Sequence, residues 1–156
     1  MDDLTDEAAG IYTRESPYLD RYVQMGIASD RIISMSFPRT PEDNAASEHP
    51  LLSRVFAYLE GKRDDFADID VGLTVPTPDR AVLKATRGIP YGTQVSVEQL
   101  ARTVPDLASD DESHETVRTA LANNPIPLVI PDHRVRDAPS AAPPEIEQRL
   151  RSLEGL

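Results

Sequence analysis

Asn124-Pro125-Ile126-Pro127-Leu128-Val129-Ile130-Pro131-Asp132-His133-Arg134-Val135 is the stretch on which the reading of this chain turns. Prolines bracket the apolar run Leu128-Val129-Ile130, which reads as a short buried strand. Pro131 has no amide hydrogen to give to a ladder, so the strand is expected to stop there. Asp132, His133 and Arg134 are then expected where a buried strand opens onto a surface, a common position for chemistry.

The flanks of this stretch are helical. Towards the C-terminus, residues 136–144 form a linker rich in Pro, Ala and Ser. Ile146, Leu150 and Leu153 then mark a last short helix ending at Glu154-Gly155. Upstream, Thr77 is expected as an N-cap with Pro78 in the first turn, and Val82, Leu83 and Thr86 give an apolar stripe that stops near Gly88. Pro90-Tyr91-Gly92 turns the chain. Ser96-Val97-Glu98-Gln99 matches a capping box and opens a helix that ends before Pro105. After an acidic loop over residues 106–112, Asp111 or Ser113 caps a third helix. Val117, Ala120 and Leu121 are its buried face, and Asn123-Asn124-Pro125 is its end. Two short helices joined in this way read as a helix-turn-helix-like unit.

The N-terminal half has another character. Residues 1–8 are acidic and expected to fray. Ile11-Tyr12-Thr13, Tyr22-Val23-Gln24-Met25 and the stretch Arg31 to Phe37 read as strands, with Ser16-Pro17 as a turn signal. A proline-interrupted loop follows, then an amphipathic helix carrying Leu51, Leu52, Val55, Phe56 and Leu59, with Gly61 as its stop. Residues 71–75 are a strand or an extended linker. The expected fold class is α+β: a small antiparallel sheet plus helix over residues 1–75, then a mainly helical domain over residues 76–156.

Composition narrows the function classes. There are 27 acidic against 16 basic residues, a net charge of −11, and only Lys62 and Lys84 of the bases are lysine. Such a surface suits solubility in concentrated salt, and a salt-adapted source is expected. Residues 1–76 carry a net −8 and residues 77–156 a net −3, so a phosphate-facing surface is more plausible in the second half, although no basic patch stands out there. No apolar run reaches the length of a membrane span, and no signal segment is seen. A cytoplasmic monomer is expected, with no cofactor and no metal. The chain has no cysteine, which removes disulfides, thiolate nucleophiles and Cys-based metal sites.

Several blocks resemble the O6-alkylguanine-DNA alkyltransferases, the methylated-DNA–protein-cysteine methyltransferases. That family's active-site segment runs Asn-Pro, a few apolar residues, then Pro-Cys-His-Arg-Val. Here the corresponding residues are Asn124-Pro125 and Pro131-Asp132-His133-Arg134-Val135. Arg87-Gly88-Ile89-Pro90-Tyr91-Gly92 is similar to the family's Ile-Pro-Tyr-Gly turn. Val95-Ser96 through Gln99-Leu100-Ala101 resembles its next helix, and Val117 to Pro125 the end of its recognition helix. Leu153-Glu154-Gly155 matches its C-terminal Glu-Gly. The resemblance covers roughly residues 76–135 and the C-terminal end.

Such proteins insert a recognition helix into the minor groove and flip the target base into a pocket. A cysteine then takes the alkyl group, activated through water by a histidine that a glutamate orients. The resemblance therefore implies Asp132, His133, Glu154 and Asn124 as the catalytic positions, with Asp132 where the acceptor cysteine belongs. It implies Val97, Glu115, Thr116, Arg118 and Arg134 as DNA-contact positions. Val97 stands at the tyrosine that presses on the flipped phosphate, and Glu115 at the arginine that fills the gap in the stack. The family's Gly-rich loop, a wall of the base pocket, is shortened to residues 137–144.

These replacements leave three readings open. One is a non-transferring relative that recognises alkylated guanine in DNA and works with other repair proteins. The second is an interaction or structural module that has kept the fold and lost DNA binding. The third is an active transferase, against which the missing thiol argues; a carboxylate at Asp132 is a far weaker nucleophile. For His133 a role as base stands beside a purely structural one, as it does for Arg134 and Asn124.

Overall fold

The computed structural model describes residues 9–105, 107 and 110–156. The fraying expected for residues 1–8, and Asp106, Ala108 and Ser109 of the acidic loop, lie outside the described residues. The fold is α+β, with a three-stranded antiparallel sheet of order β1-β2-β3. Its strands are β1 (Ala9–Ser16), β2 (Arg21–Ala28) and β3 (Arg31–Ser36). Ser29 and Asp30 join β2 to β3 as a two-residue turn, both in the left-handed region at φ 53° and 62°, the geometry that matches strand twist. Tyr12, Val23, Met25, Ile27, Ile32 and Met35 point inward, while Ile11 and Ile33 face out, as in a sheet covered on one side. Val23, Met25 and Ile27 alternate at period 2, whereas Ile32 and Met35 are three apart because the pairing is irregular there. The register slips between Gly26 and Ile27. A Cβ at Gly26 would stand 2.6 Å from Ser34 Oγ, so a larger residue there would need the Ser34 hydroxyl to turn away.

Helix α1 (Pro50–Leu59) covers this sheet. His49 caps it, its Nδ1 accepting from Leu51 N at 3.1 Å. The buried face is Leu51, Leu52, Val55, Tyr58 and Leu59. Phe56 is only half-buried, with the Arg14 guanidinium 5.0 Å from its ring centre; Tyr58 takes the core position instead. Residues 71–75 are an extended linker rather than a strand, pinned at its start to β3 by Ile32 N to Asp70 O and Gly72 N to Ile32 O.

Three helices follow: α2 (Thr77–Thr86), α3 (Val97–Thr103) and α4 (Asp111–Ala122). Thr77 makes no cap; the helix starts after Pro76, with Thr77 and Pro78 already inside it. The capping box of α3 is present with both bonds. The cap of α4 is neither Asp111 nor Ser113 but Asp110, whose Oδ1 accepts from Ser113 N at 2.9 Å. The last helix, α5 (Pro144–Glu154), ends on Gly155 at φ 79°, a left-handed cap suited to glycine. Buried hydrophobic side chains from both halves of the chain form one continuous cluster. Met35 N of the sheet donates to Pro125 O at 2.9 Å, tying β3 to the hinge that precedes the site.

The expected strand at Leu128 to Ile130 is absent. The segment folds back on itself, with Ile130 N bonded to Ile126 O and Leu128 at φ 81°. Pro125, Pro127 and Pro131 remove the donors a ladder would need, so the apolar side chains are buried by a tight loop instead. Asp132–Arg134 forms a 3-10 turn. Nor does it open onto a surface: Asp132, His133 and Arg134 are 1%, 0% and 2% exposed. Three polar side chains tolerate that burial because each is met by partners.

Candidate functional site

Glu154, in the last turn of α5, is the hub of the buried polar cluster. Its Oε2 lies 2.8 Å from His133 Nε2 and accepts from Arg134 Nη2 at 2.9 Å and from the Tyr58 hydroxyl in a very short bond. Its Oε1 accepts from Arg134 Nε at 2.8 Å and from Gly92 N at 3.0 Å. Burial alone would raise its pKa, but the hydrogen bonds from His133 and Arg134 hold it well below the usual carboxylate range. Burial and the adjacent Glu154 charge push the Tyr58 phenol up. Arg134 is doubly clamped by Glu154 and also donates through Nη1 to Ile89 O at 2.7 Å. A bidentate arginine–carboxylate pair with further backbone acceptors is the arrangement that makes a buried charge tolerable.

The second half of the cluster surrounds Asp132. Asn124 Nδ2 donates to Asp132 Oδ2 at 3.0 Å and to Ile130 O at 3.0 Å. Asn124 Oδ1 accepts from Ile126 N at 2.9 Å, so this one side chain clamps the whole loop. From the 137–144 loop, Ser140 Oγ donates to Asp132 Oδ1 at 2.5 Å and Ala141 N to Oδ2 at 3.0 Å. Burial raises the Asp132 pKa, and the bonds from Ser140, Ala141 and Asn124 offset this only in part. His133 sits between the two halves. Its Nε2 faces Glu154, while its Nδ1 is buried with no hydrogen-bond partner among the described residues.

Five residues singled out from the sequence, Asn124, Asp132, His133, Arg134 and Glu154, therefore come together. The others do not join them. Val97 is buried in the first turn of α3, and its N–H donates to Asp137 Oδ1 at 2.7 Å. Glu115 is largely exposed and 3.9 Å from Arg118 across one turn of α4. Glu115 and Thr116 line a different cleft, shared with Asp79 and Glu112. Tyr58, Ser140 and Asp65, which bonds Arg134 and Tyr91 N, were not among the candidates. Tyr58 was detectable: it lies three residues after Val55 and seven after Leu51, on the stripe that goes inward. No group of three or more His, Cys, Asp or Glu placed to hold a metal is found among the described residues.

The site is thus a buried His–Glu pair behind an Asn-clamped proline loop, on a sheet-plus-helices scaffold. The profile described as "6-O-methylguanine DNA methyltransferase, DNA binding domain" matches residues 77–153. A methylated-DNA–protein-cysteine methyltransferase of Methanopyrus kandleri is 32% identical over 120 residues, 74% of this chain and 86% of that one. A DNA base-flipping protein of Thermus thermophilus is 35% identical over 100 residues, 64% of each chain. Among solved structures, a variant of the M. tuberculosis O6-methylguanine methyltransferase superposes with a TM-score of 0.70 at 21% identity, covering 93% of this chain and 90% of that one. This chain belongs to the methylated-DNA–protein-cysteine methyltransferase family, as a member without cysteine.

Proposed function

We propose that this protein recognises DNA carrying alkylated guanine through the α3–α4 unit and does not transfer the alkyl group. The observation that carries this reading is the state of Asp132. The position of the family's acceptor holds a carboxylate whose two oxygens are engaged by Asn124, Ser140 and Ala141 and which is 1% exposed. A nucleophile needs a lone pair aimed at the substrate; these face inward donors. The loop that walls the family's base pocket is here spent on closing over Asp132. The family match over residues 77–153 and the name of the Thermus relative support DNA as the partner. On this reading residues 76–156 form the DNA-facing domain and residues 1–75 brace it. We attach to it a cytoplasmic, monomeric protein; no helix among the described residues is long and apolar enough to cross a membrane.

The acidic cleft of Asp79, Glu112 and Glu115 favours a second reading, an interaction module that has lost DNA binding. The deciding experiment is an anisotropy titration of an O6-methylguanine duplex in dilute and in molar KCl. At molar salt the Debye length is about 3 Å, so long-range repulsion is screened, and affinity must come from base insertion. Weak binding that prefers the lesion over plain duplex supports DNA recognition; no binding at either salt leaves the interaction module. Mass spectrometry of protein and DNA after incubation tests the second clause: the methyl group is expected to remain on the DNA, and its loss would overturn that clause.

A further inference from the structure

One cleft reverses the charge of the whole molecule. It lies between the 71–75 linker, the start of β3 and α2, encloses about 410 Å³, and is lined by Arg31, Val71, Leu73, Arg80, Lys84 and Arg87. Four cations meet there in a chain of net charge −11, and no carboxylate lines it. Arg80, Lys84 and Arg87 recur at i, i+4 and i+7, one face of α2, where like charges repel and weaken a helix. The helix dipole accounts for Lys84 and Arg87 at the C-terminal end, but it disfavours Arg80 in the first turn and has no bearing on Arg31, which comes from the sheet.

The cations are also held ready. Arg87 Nη2 is fixed by Phe66 O at 2.7 Å and Ile69 O at 2.8 Å, and its Nε is buried without a partner among the described residues. Asp68 and Asp70 act on Arg87 at a distance but line the neighbouring cleft with His49 and Arg54. Arg31 and Lys84 carry no ion pair among the described residues. Between the cations, half-buried Val71 and Leu73 offer an aliphatic floor.

We propose that this cleft docks an acidic peptide segment of a partner protein, with an aliphatic side chain set on Val71 and Leu73 between carboxylates held by Arg31, Arg80, Lys84 and Arg87. The floor separates this occupant from nucleic acid. Phosphates gain nothing from Val71 and Leu73, and no aromatic side chain lines the cleft on which a base would stack. Arginine forks suit carboxylates bidentately, and an apolar anchor ringed by polar contacts is the usual build of a peptide groove.

Anisotropy of the intact protein with three fluorescein-labelled probes tests this. The probes are a short Asp/Glu peptide containing two leucines, the same peptide with serine at those positions, and a single-stranded oligothymidylate. The leucine peptide is expected to bind about tenfold more tightly than the serine peptide, as burial of an aliphatic side chain predicts. Arg80→Glu with Lys84→Glu should abolish that binding, and Arg80→Gln with Lys84→Gln should weaken it, while the charge-matched Arg39→Glu with Lys62→Glu, at two exposed positions away from the cleft, should leave it nearly unchanged. Arg80 and Lys84 are exposed, and unchanged circular dichroism confirms that the variants fold. Equal affinity for the two peptides, tighter binding of the oligothymidylate, or indifference to the α2 variants would each overturn the proposal.

Discussion

Two glutamates of this molecule live under opposite rules. Glu154 is buried and surrounded by donors from Tyr58, His133, Arg134 and Gly92. Glu115 stands 72% exposed beside Glu112 and Asp79, with Arg118 at 3.9 Å its ion-pair partner among the described residues. In water a charge can change sign for little. Inside, removing one partner leaves the other without compensation. On the proposed reading, this difference would account for the buried hub keeping the residues that the resemblance implies while position 115 carries a glutamate where it implies an arginine. Asp132 is the mixed case: a buried carboxylate at the position where the resemblance implies a cysteine, met by donors from Asn124, Ser140 and Ala141.

The widest gap between the two regions should appear on truncation. Glu154→Ala strands the Arg134 guanidinium, which is 2% exposed, and should cost about 3–5 kcal/mol in urea unfolding. Glu115→Ala should stay within about 0.5 kcal/mol of the parent. Equal losses would break the comparison. The pH dependence has the matching sign. The pKa of Glu154 is depressed in the fold, so its stabilisation is present above the ordinary value of 4.5 and is lost as pH falls below it.

Asp132 sharpens the comparison with the opposite sign. Its pKa is raised on folding, so the unfolded chain ionises first as pH climbs past the ordinary 3.8, and stability falls through that window. Asp132→Asn mimics the protonated acid: its oxygen accepts from Asn124 and Ala141, and its amide donates to a Ser140 hydroxyl turned to accept. At pH 7 this variant should be more stable than the parent, and the gain should vanish near pH 3. Thermal melts across that range measure it; a variant less stable at every pH sinks the assignment.

How much of this was legible in the chain follows from how far apart the partners lie. The α3 capping box was readable because Ser96 and Gln99 are three residues apart and both bonds are local. The Gly155 stop and the stripe of α5 were readable for the same reason. Asn124, Asp132, His133, Arg134 and Glu154 were picked out by resemblance to a motif, which gives identities without contacts. Tyr58 meets Glu154 across 96 residues, and no local pattern announces such a bond. The strand expected at Leu128 to Ile130 failed because burial and strand share one apolar signature. Pro125, Pro127 and Pro131 already weigh against a ladder, but the fold-back itself rests on the clamp by Asn124 and the left-handed Leu128, and both depend on the finished fold.

The last expected effect falls on the exposed side and tests whether α4 faces DNA. Glu115→Arg puts a cation where the resemblance places the family's arginine, next to Thr116 on the same cleft. One new phosphate contact should raise duplex affinity about fivefold to tenfold in dilute salt and steepen the salt dependence by about one phosphate. In molar KCl that electrostatic part should be screened away, leaving only what insertion into the stack contributes. If the gain persists there and is larger for an O6-methylguanine duplex, α4 inserts as the recognition helix. A gain confined to dilute salt and blind to the lesion makes it a surface charge and no more. No gain at any salt means that α4 does not approach DNA, and the interaction module becomes the better reading of this scaffold.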